Sequence, residues 1–152
     1  MDSPAGRFVN DCVERYLAGN AAARMVAEAL RQCGVGLRPL VDHCALRTHD
    51  VAKRAEEVEA LGYRYDENTG VLEYDNWWAR VYRKPGYPAL FIDQAFAGSR
   101  GKNSLIPGWV DAHGDLGFHH IAVLVEDIET AIAKLQARGV RFTGSIVGER
   151  GT

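Results

Sequence analysis

An internal repeat constrains the fold of this chain more than any other feature of its sequence. Residues 41–65 (VDHCALRTHDVAKRAEEVEALGYRY) align with residues 118–142 (FHHIAVLVEDIETAIAKLQARGVRF) at a constant offset and without a gap. The aligned identities are His43 with His120, Ala45 with Ala122, Asp50 with Asp127, Ala60 with Ala137, Gly62 with Gly139 and Arg64 with Arg141. Self-similarity of this kind is typical of repeated structural units, so the sequence predicts two copies of one module.

Each copy predicts a strand, a helix and a further strand. A short apolar run with a histidine near its start is typical of a buried strand, and apolar residues at helical spacing follow it. Those helical positions are Val51, Ala55 and Val58 in the first copy and Ile128, Ile132 and Leu135 in the second. Asp50 and Asp127 stand where an N-cap carboxylate accepts the free N–H groups of the first turn. Gly62 and Gly139 follow the helices and suit the positive φ that often ends a helix.

Residues 1–40 predict a helical segment that precedes the first copy. Apolar residues recur there at intervals of three and four in two runs, which are Phe8, Val9, Cys12, Val13, Tyr16 and Leu17, then Met25, Val26, Ala29, Leu30 and Cys33. Asn20 can cap the second helix, and Gly34 and Gly36 can end it. Two roles fit this segment: a helical element packed beside the first module, or a hairpin used for dimer contact.

Residues 41–96 predict a complete βαβββ module, because three strand-like pieces follow the first repeat. These pieces are residues 71–74, 77–82 and 89–92, and turn formers separate them. Residues 97–117 are rich in glycine and turn formers and predict a linker. Residues 118–152 hold only a strand, a helix and a strand at 140–147, so we expect a partial second module. Either the sequence stops before the remaining strands, or a second chain completes the sheet in a homodimer.

The bulk composition is that of a soluble globular protein of one domain. The chain has 152 residues, of which 47% are hydrophobic and 25% charged. A formal net charge of -2 and a pI near 6.2 argue against a nucleic-acid partner. No run of about 18 apolar residues and no signal-peptide pattern occurs, so we expect a cytoplasmic protein without a membrane partner. The cysteines Cys12, Cys33 and Cys44 lack metal-like pairing and are expected to be free thiols.

His43 and His120 predict a chemical site. Strand alternation places His43 and Arg47 on one face of the first strand, and His120 on the matching face of its copy. If the two modules pack side by side, the two imidazoles face each other across a cleft and begin a divalent metal site. By the same alternation His119 lies on the opposite face, where we expect a packing or surface role. The alternative is that each histidine is a hydrogen-bonded core residue, as single histidines on apolar strands more often are.

Three segments give the sequence a resemblance to a known family: VERYLAGNAAARMVAEAL, DHCALRTHD and YPALFIDQAF. Paired βαβββ modules with a histidine on the first strand of each resemble the vicinal oxygen chelate superfamily, which includes glyoxalase I, extradiol dioxygenases and bleomycin-resistance proteins. Within it, the sequence resembles most the 2-oxoadipate dioxygenase/decarboxylase family, over about the first 96 residues. The resemblance implies an α+β fold in which two modules form a cup-shaped mixed sheet around a metal.

The resemblance also implies roles for individual residues. His43 and His120 match the metal-binding histidines of the superfamily. Gln94 stands where the family has a glutamate, as a weak third ligand or a lining residue. Arg47 matches an arginine that grips a substrate carboxylate, and a guanidinium beside His43 suits that role because it binds a carboxylate through two parallel bonds. Pairing of Arg47 with Asp93 is the alternative.

The activity implied by the resemblance is Fe(II)-dependent oxidative decarboxylation of a small 2-oxo acid such as 2-oxoadipate. Zn, Mn and Ni are alternative metals. Fe(II) sites of this type need an anionic oxygen ligand, which in the family lies on the last strand of the second module. Glu149 is the only acid after the second predicted helix, and its place in the tail makes it a poor ligand.

Two further functions fit the same sequence. A glyoxalase-like metal-dependent isomerase or lyase would use the two histidines with Zn, Mn or Ni and consume no O2. A metal-free binding module of the resistance type would instead line a groove for a flat ligand with aromatic residues such as Trp77, Trp78 and Tyr82. Dependence on O2 separates the first two readings, and metal content separates the third.

Overall fold

The computed structural model describes residues 3–33, 42–115 and 117–144. The helices are α1 (Pro4–Gly19), α2 (Ala21–Cys33), α3 (Val51–Ala60), α4 (Gly98–Gly101), α5 (Ile106–His113) and α6 (Ile128–Ala137). The strands are β1 (His43–Arg47), β2 (Arg64–Tyr65), β3 (Val71–Glu73), β4 (Trp77–Arg83), β5 (Ala89–Ala95) and β6 (Gly117–Ala122). Within these residues, no helix is long and apolar enough to cross a membrane. Of the strand predicted at 140–147, residues 140–144 are irregular and the rest lies outside the described residues.

The N-terminal helices form where the sequence predicts them. Ser3 Oγ accepts a backbone N–H of the first turn at 3.1 Å and so caps α1. Asn20 Oδ1 accepts the Ala23 N–H at 3.0 Å, so Asn20 starts α2 as predicted. The predicted end of α2 at residues 34–36 lies outside the described residues.

The helices of the two repeat copies are capped in the same way. Asp50 Oδ1 accepts the N–H three residues ahead at 3.1 Å, and Asp127 Oδ1 makes the same bond at 3.0 Å. Gly62 and Gly139 follow the two helices with φ of 92° and 87°, a conformation that side chains disfavour. The predicted caps are therefore confirmed in both copies.

One mixed sheet joins the two copies. Its strand order is β2-β4-β5-β1-β6, and β3 also pairs with β4. Strand β1 runs parallel to β5 and antiparallel to β6, so the first strands of the two copies are direct neighbours. The predicted α+β fold, with an N-terminal helical segment and an open mixed sheet, is confirmed.

Helices α1 and α3 cover one face of this sheet. The main core lies between the sheet, α1 and α3, and contains Cys12, Cys44, Leu46, Val51, Val58, Tyr63, Tyr82, Leu90 and Ile92. A second cluster joins α2 to α6 through Ala29, Leu30, Leu135 and Val140. The N-terminal pair thus packs against both copies, with α1 against the core of the first and α2 against the helix of the second.

The segment predicted as a linker, residues 97–117, contains structure of its own. Both α4 and α5 lie in it, and Ile106 and Val110 of α5 are only 3% and 2% exposed. The sequence does not predict this helix, because Pro107 and Gly108 are typical turn formers. Proline is nevertheless compatible with the first turn of a helix, where its missing N–H would have no partner.

We expect the same substitution to change stability by very different amounts at two leucines. Leu46 is 0% exposed, so Leu46→Ala should lower the free energy of unfolding by about 2–5 kcal/mol. Leu105 is 81% exposed, so Leu105→Ala should change it by less than about 0.5 kcal/mol. Urea unfolding followed by circular dichroism measures both values, and equal losses would contradict the placement of the core.

Candidate functional site

Strand β1 presents chemically different residues on its two faces. Cys44 and Leu46 are fully buried in the main core, so His43 and Arg47 lie on the opposite face. His43 stacks on Phe91 of β5 with ring centroids 4.2 Å apart, which brings alternate residues of β5 to the same side. We call this side the histidine face; it is formed by His43, Ala45 and Arg47 of β1, Phe91 and Asp93 of β5 and His120 of β6.

His43 and His120 meet on the histidine face. Pairing of β1 with β6 sets His120 opposite Ala45, and the ring centroids of the two histidines lie 5.7 Å apart at an angle of 77°. Two imidazoles that share an ion at metal–nitrogen distances of about 2.1 Å have centroids roughly 5 Å apart. The structure thus brings together the two residues predicted as metal ligands, and their role as ligands stays a prediction.

The residue before each of these histidines contacts its Nδ1. Asp42 Oδ2 lies 2.9 Å from His43 Nδ1, and His119 Nδ1 lies 2.9 Å from His120 Nδ1. A partner on Nδ1 fixes the orientation of the ring and leaves Nε2 as the nitrogen suited to bind a metal. Asp42 and His119 occupy aligned positions of the repeat, so both copies use the same arrangement with different side chains.

A β-bulge brings His119 to the histidine face. Ala45 pairs with His120, but the next residue of β1 pairs with Phe118, so His119 is an extra residue in β6. Its ring lies beside that of His120 and meets Trp109 of α5 edge-on, with centroids 5.4 Å apart. The predicted position on the opposite face is therefore wrong, because strict alternation fails where a residue is inserted.

Burial keeps the His119 and His120 rings neutral. It lowers the pKa of His119 to about 4, and the charge of Arg47 acts in the same direction. Burial also lowers the pKa of His120, and the electrostatic interactions with His43 and Arg47 act in the same direction. A neutral imidazole offers a lone pair to a metal, whereas an imidazolium does not. Both rings are therefore in the form that binds metals at neutral pH.

Arg47 and Asp93 are register partners at one end of the histidine face. Asp93 is 4% exposed, and this burial raises its pKa to about 7, while the charge of Arg47 opposes the rise. Burial also lowers the pKa of Arg47, and Asp93 opposes that change. Because the carboxyl is only partly ionised near neutral pH, it does not fully neutralise the guanidinium. Arg47 therefore keeps positive charge for a ligand even with Asp93 beside it.

The structure does not bring Gln94 to the histidine pair. Gln94 Oε1 accepts the Val51 N–H at 2.7 Å, in the first turn of α3 on the opposite side of the sheet. Strand alternation explains this placement, because Gln94 follows Asp93 directly and so points the other way. Its contacts are those of a residue that caps a helix.

The aromatic residues considered for a metal-free groove lie in separate environments. Tyr82 is 1% exposed in the main core, and Trp78 packs against the same core. Trp77 instead stacks on Tyr74, with ring centroids 3.9 Å apart. These side chains do not line one groove.

The described residues supply part of a metal site. Imidazole nitrogens such as those of His43 and His120 suit Zn, Ni and Fe ions. Within residues 3–33, 42–115 and 117–144, however, no group of three or more His, Cys, Asp or Glu side chains is placed to hold an ion. Glu149 lies outside those residues. The two histidines therefore fit a metal, and its remaining ligands have to come from outside the described part of the chain or from solvent and substrate.

A cavity of about 450 Å³ opens beside Trp109 and His119. Its walls include Trp109 and His119 as well as Tyr16 and Phe118, whose rings meet edge-on with centroids 5.2 Å apart. Cavities of this size hold small molecules in many proteins. His43, Arg47 and His120 do not line this cavity, so the room that it gives a small ligand lies beside Trp109 and His119.

Comparisons with known proteins agree with this architecture. Residues 42–151 match the family model described as the Glyoxalase/Bleomycin resistance protein/Dioxygenase superfamily. Among solved structures, hypothetical protein BH1468 from Bacillus halodurans C-125 has a TM-score of 0.56 at 20% identity, covering 73% of this chain and 78% of that one. Methylmalonyl-CoA epimerase from Mycobacterium tuberculosis has a TM-score of 0.56 at 18% identity, covering 72% and 71%.

The search of curated proteins found no match. The family model and the structural matches support the superfamily that the sequence resembles. They do not support the narrower resemblance to the 2-oxoadipate dioxygenase/decarboxylase family.

Replacing Asp93 by asparagine should stabilise the protein at alkaline pH. The folded state keeps the Asp93 proton until about pH 7, whereas the unfolded chain releases it near pH 4, so the stability falls as the pH rises from about 4 to 7 and stays lower above pH 7. At about 1.4 kcal/mol for each of the three pKa units, Asp93→Asn should gain up to about 4 kcal/mol at pH 8, and the gain should shrink toward pH 4.

Urea unfolding at pH 5 and pH 8 checks this expectation. Asp66→Asn is the matched control, because hydrogen bonds from Thr69 and Arg83 lower the pKa of Asp66 to about 2, and its loss should destabilise the protein at pH 8. A wild-type protein at least as stable as Asp93→Asn at pH 8 would contradict the burial of that carboxyl.

Replacing Gln94 should affect stability and leave metal affinity unchanged. Gln94→Ala removes the acceptor for the Val51 N–H and should lower the free energy of unfolding by about 1 kcal/mol. Gln94→Glu keeps an acceptor there and should stay close to the wild type. Thermal unfolding and Zn titration of the three proteins measure both properties; a loss of metal affinity without a loss of stability would return Gln94 to the metal site.

Proposed function

Because this chain belongs to the glyoxalase/bleomycin resistance protein/dioxygenase superfamily, we propose that it is a metal-dependent isomerase or lyase acting on a small carboxylic acid. One observation carries the proposal. The ring centroids of His43 and His120 lie 5.7 Å apart on the face that also carries Arg47. Two imidazoles beside a cation provide a metal position and an anion position on one surface.

The histidine pair would hold the metal through Nε2 of His43 and of His120. Asp42 and His119 fix the two rings through their Nδ1 atoms, so the ligand atoms are oriented before an ion arrives. When bound, the ion supplies a Lewis acid that stabilises negative charge on a carbonyl oxygen of the substrate.

Arg47 would bind the substrate carboxylate. Its guanidinium can offer two parallel N–H donors to the two carboxylate oxygens. The substrate is then held at two points of the histidine face, which orients the carbon between them. The buried carboxyl of Asp93, with a pKa of about 7, is suited to take up or return a proton during isomerisation.

An isomerase or lyase needs fewer metal ligands from the protein than an oxygenase does. A Lewis acid can act with imidazole, water and substrate ligands, whereas the Fe(II) chemistry predicted from the narrower resemblance needs an anionic carboxylate ligand. The M. tuberculosis protein that shares this fold is named an epimerase, which is consistent with the proposal. Fe(II)-dependent decarboxylation of 2-oxoadipate is the competing reading that the assays below are designed to detect.

Metal binding should depend on both histidines. We expect the wild-type protein to bind Zn or Ni, His43→Ala and His120→Ala each to weaken that affinity by more than about tenfold, and Asp42→Asn to weaken it by about tenfold. His49→Ala is the matched control, because His49 is exposed and bonds Asp111 instead. Competition titration with a chromogenic chelator measures each affinity. Equal affinity in the wild type and both alanine variants would exclude this pair as the ligands.

The reaction class can be read from the fate of a substrate proton and of O2. Metal-loaded protein is incubated in deuterated water with 2-oxoadipate or methylmalonyl-CoA, without O2, and NMR follows deuterium entering beside the carbonyl. We expect Arg47-dependent deuterium uptake with one of these probes. Uptake of O2 with release of CO2 in air would favour the oxygenase, and no turnover of either kind by metal-loaded protein would contradict an enzymatic role.

A further inference from the structure

Trp109 of α5 lies against Arg47, although the sequence assigns its segment to a linker. We propose that Trp109 is a positioning residue that holds the Arg47 guanidinium ready for a substrate carboxylate. This inference rests on the proposed function, since it takes Arg47 as the group that binds the carboxylate.

The Trp109 ring is fixed by contacts on several sides. His113, one turn further along α5, stacks on it with ring centroids 4.5 Å apart at 17° and also bonds the Trp109 carbonyl oxygen through Nδ1 at 2.9 Å. His119 meets the ring edge-on. The Arg47 guanidinium carbon lies 5.5 Å from the ring centroid, within the range of a cation–π contact. The indole therefore has a defined orientation relative to Arg47.

Gly117 leaves the space that the Trp109 ring occupies. A Cβ atom at this position would overlap the outer edge of the indole. Gly117 is also the register partner of Arg47 across the β1–β6 pair. The β6 position beside Arg47 is thus free of a side chain, and the tryptophan of α5 takes that place.

An aromatic contact holds a guanidinium in a way that suits ligand binding. A salt bridge to a carboxylate uses the N–H donors of the arginine, whereas a ring face attracts the cation without accepting its classical hydrogen bonds. Arg47 Nε has no hydrogen-bond partner among the residues that the structure describes. The neighbouring Asp93 carboxyl is only partly ionised near neutral pH. The ring therefore orients the guanidinium without accepting the hydrogen bonds that a carboxylate would accept.

Trp109 is not what anchors α5 to the protein. Ile106 and Val110 are the buried residues of that helix, whereas Trp109 is only partly buried. Substitutions of Trp109 should therefore leave the helix in place. This separation allows a test of positioning that a purely structural role would not pass.

The test measures binding of malonate, a small dicarboxylate, to the full chain in the presence of EDTA, so that no metal can bind the probe. Calorimetry gives the dissociation constant, and the shift of the Arg47 Nε–H signal in NMR spectra locates the bound malonate. We expect Arg47→Gln to abolish binding. Trp109→Leu, which keeps an apolar side chain without a ring face, should raise the dissociation constant about tenfold, and Trp109→Phe should stay within about threefold of the wild type.

Controls separate this inference from the proposed function. Trp77→Leu removes an indole that stacks on Tyr74 and should not change malonate affinity. Neutral malonamide should not bind in an Arg47-dependent manner, and zinc affinity should be the same in Trp109→Leu and the wild type.

Malonate affinity that falls in Arg47→Gln but not in Trp109→Leu would overturn the positioning role and leave the proposed function intact. Equal losses in Trp109→Leu and Trp109→Phe would also overturn it, because the ring face would then not be what matters. Wild-type protein that does not bind malonate would overturn both the carboxylate role of Arg47 and the role of Trp109.

Discussion

The antiparallel pairing of β1 with β6 is the contact on which the site depends. It joins the first strands of the two repeat copies and is the reason that His43 and His120, far apart in the chain, have ring centroids 5.7 Å apart. Closing such a distant pair carries an entropic cost. The second hydrophobic cluster helps to offset it, because α2 packs on α6 and so ties the N-terminal helices to the second copy.

Electrostatics on the histidine face follow from partial burial. Low exposure keeps His119 and His120 neutral and Asp93 partly protonated, while Arg47 stays charged. The face therefore combines lone-pair donors and a cation at neutral pH, with little fixed negative charge to compete for the cation. This combination is what binding of a metal and an anionic substrate on one surface requires, and it accounts for the proposed substrate class better than composition or net charge does.

Much of this architecture could be predicted from the sequence, because helix caps and strand alternation depend on residues that are close together in the repeat. Asp50 and Asp127 cap their helices as expected, and strand alternation separated His43 and Arg47 from Leu46, which is buried on the other face. His119 could not be placed, because a β-bulge changes the parity of a strand without a sequence signature of its own. The His119–His120 dipeptide, aligned with Asp42–His43, was the available signal that both residues of each pair act together.

Gln94 and α5 were missed for different physical reasons. In β5 the apolar run continues on both faces, so composition did not reveal which residues face α3, and Gln94 was grouped with the histidines although it caps α3. In α5 the Pro107–Gly108 pair resembles a turn, while the burial that stabilises the helix, at Ile106 and Val110, depends on a sheet distant in sequence. Trp109 reaches Arg47 only through that tertiary contact.

The central claim is that one ion is shared by the two copies of the repeat. Anomalous diffraction at the zinc edge, from crystals of the full chain grown with Zn²⁺, tests it most directly. The account predicts a single peak about 2.1 Å from Nε2 of both His43 and His120. An ion bound to only one of the two rings, or no ion between them at saturating zinc, would contradict it.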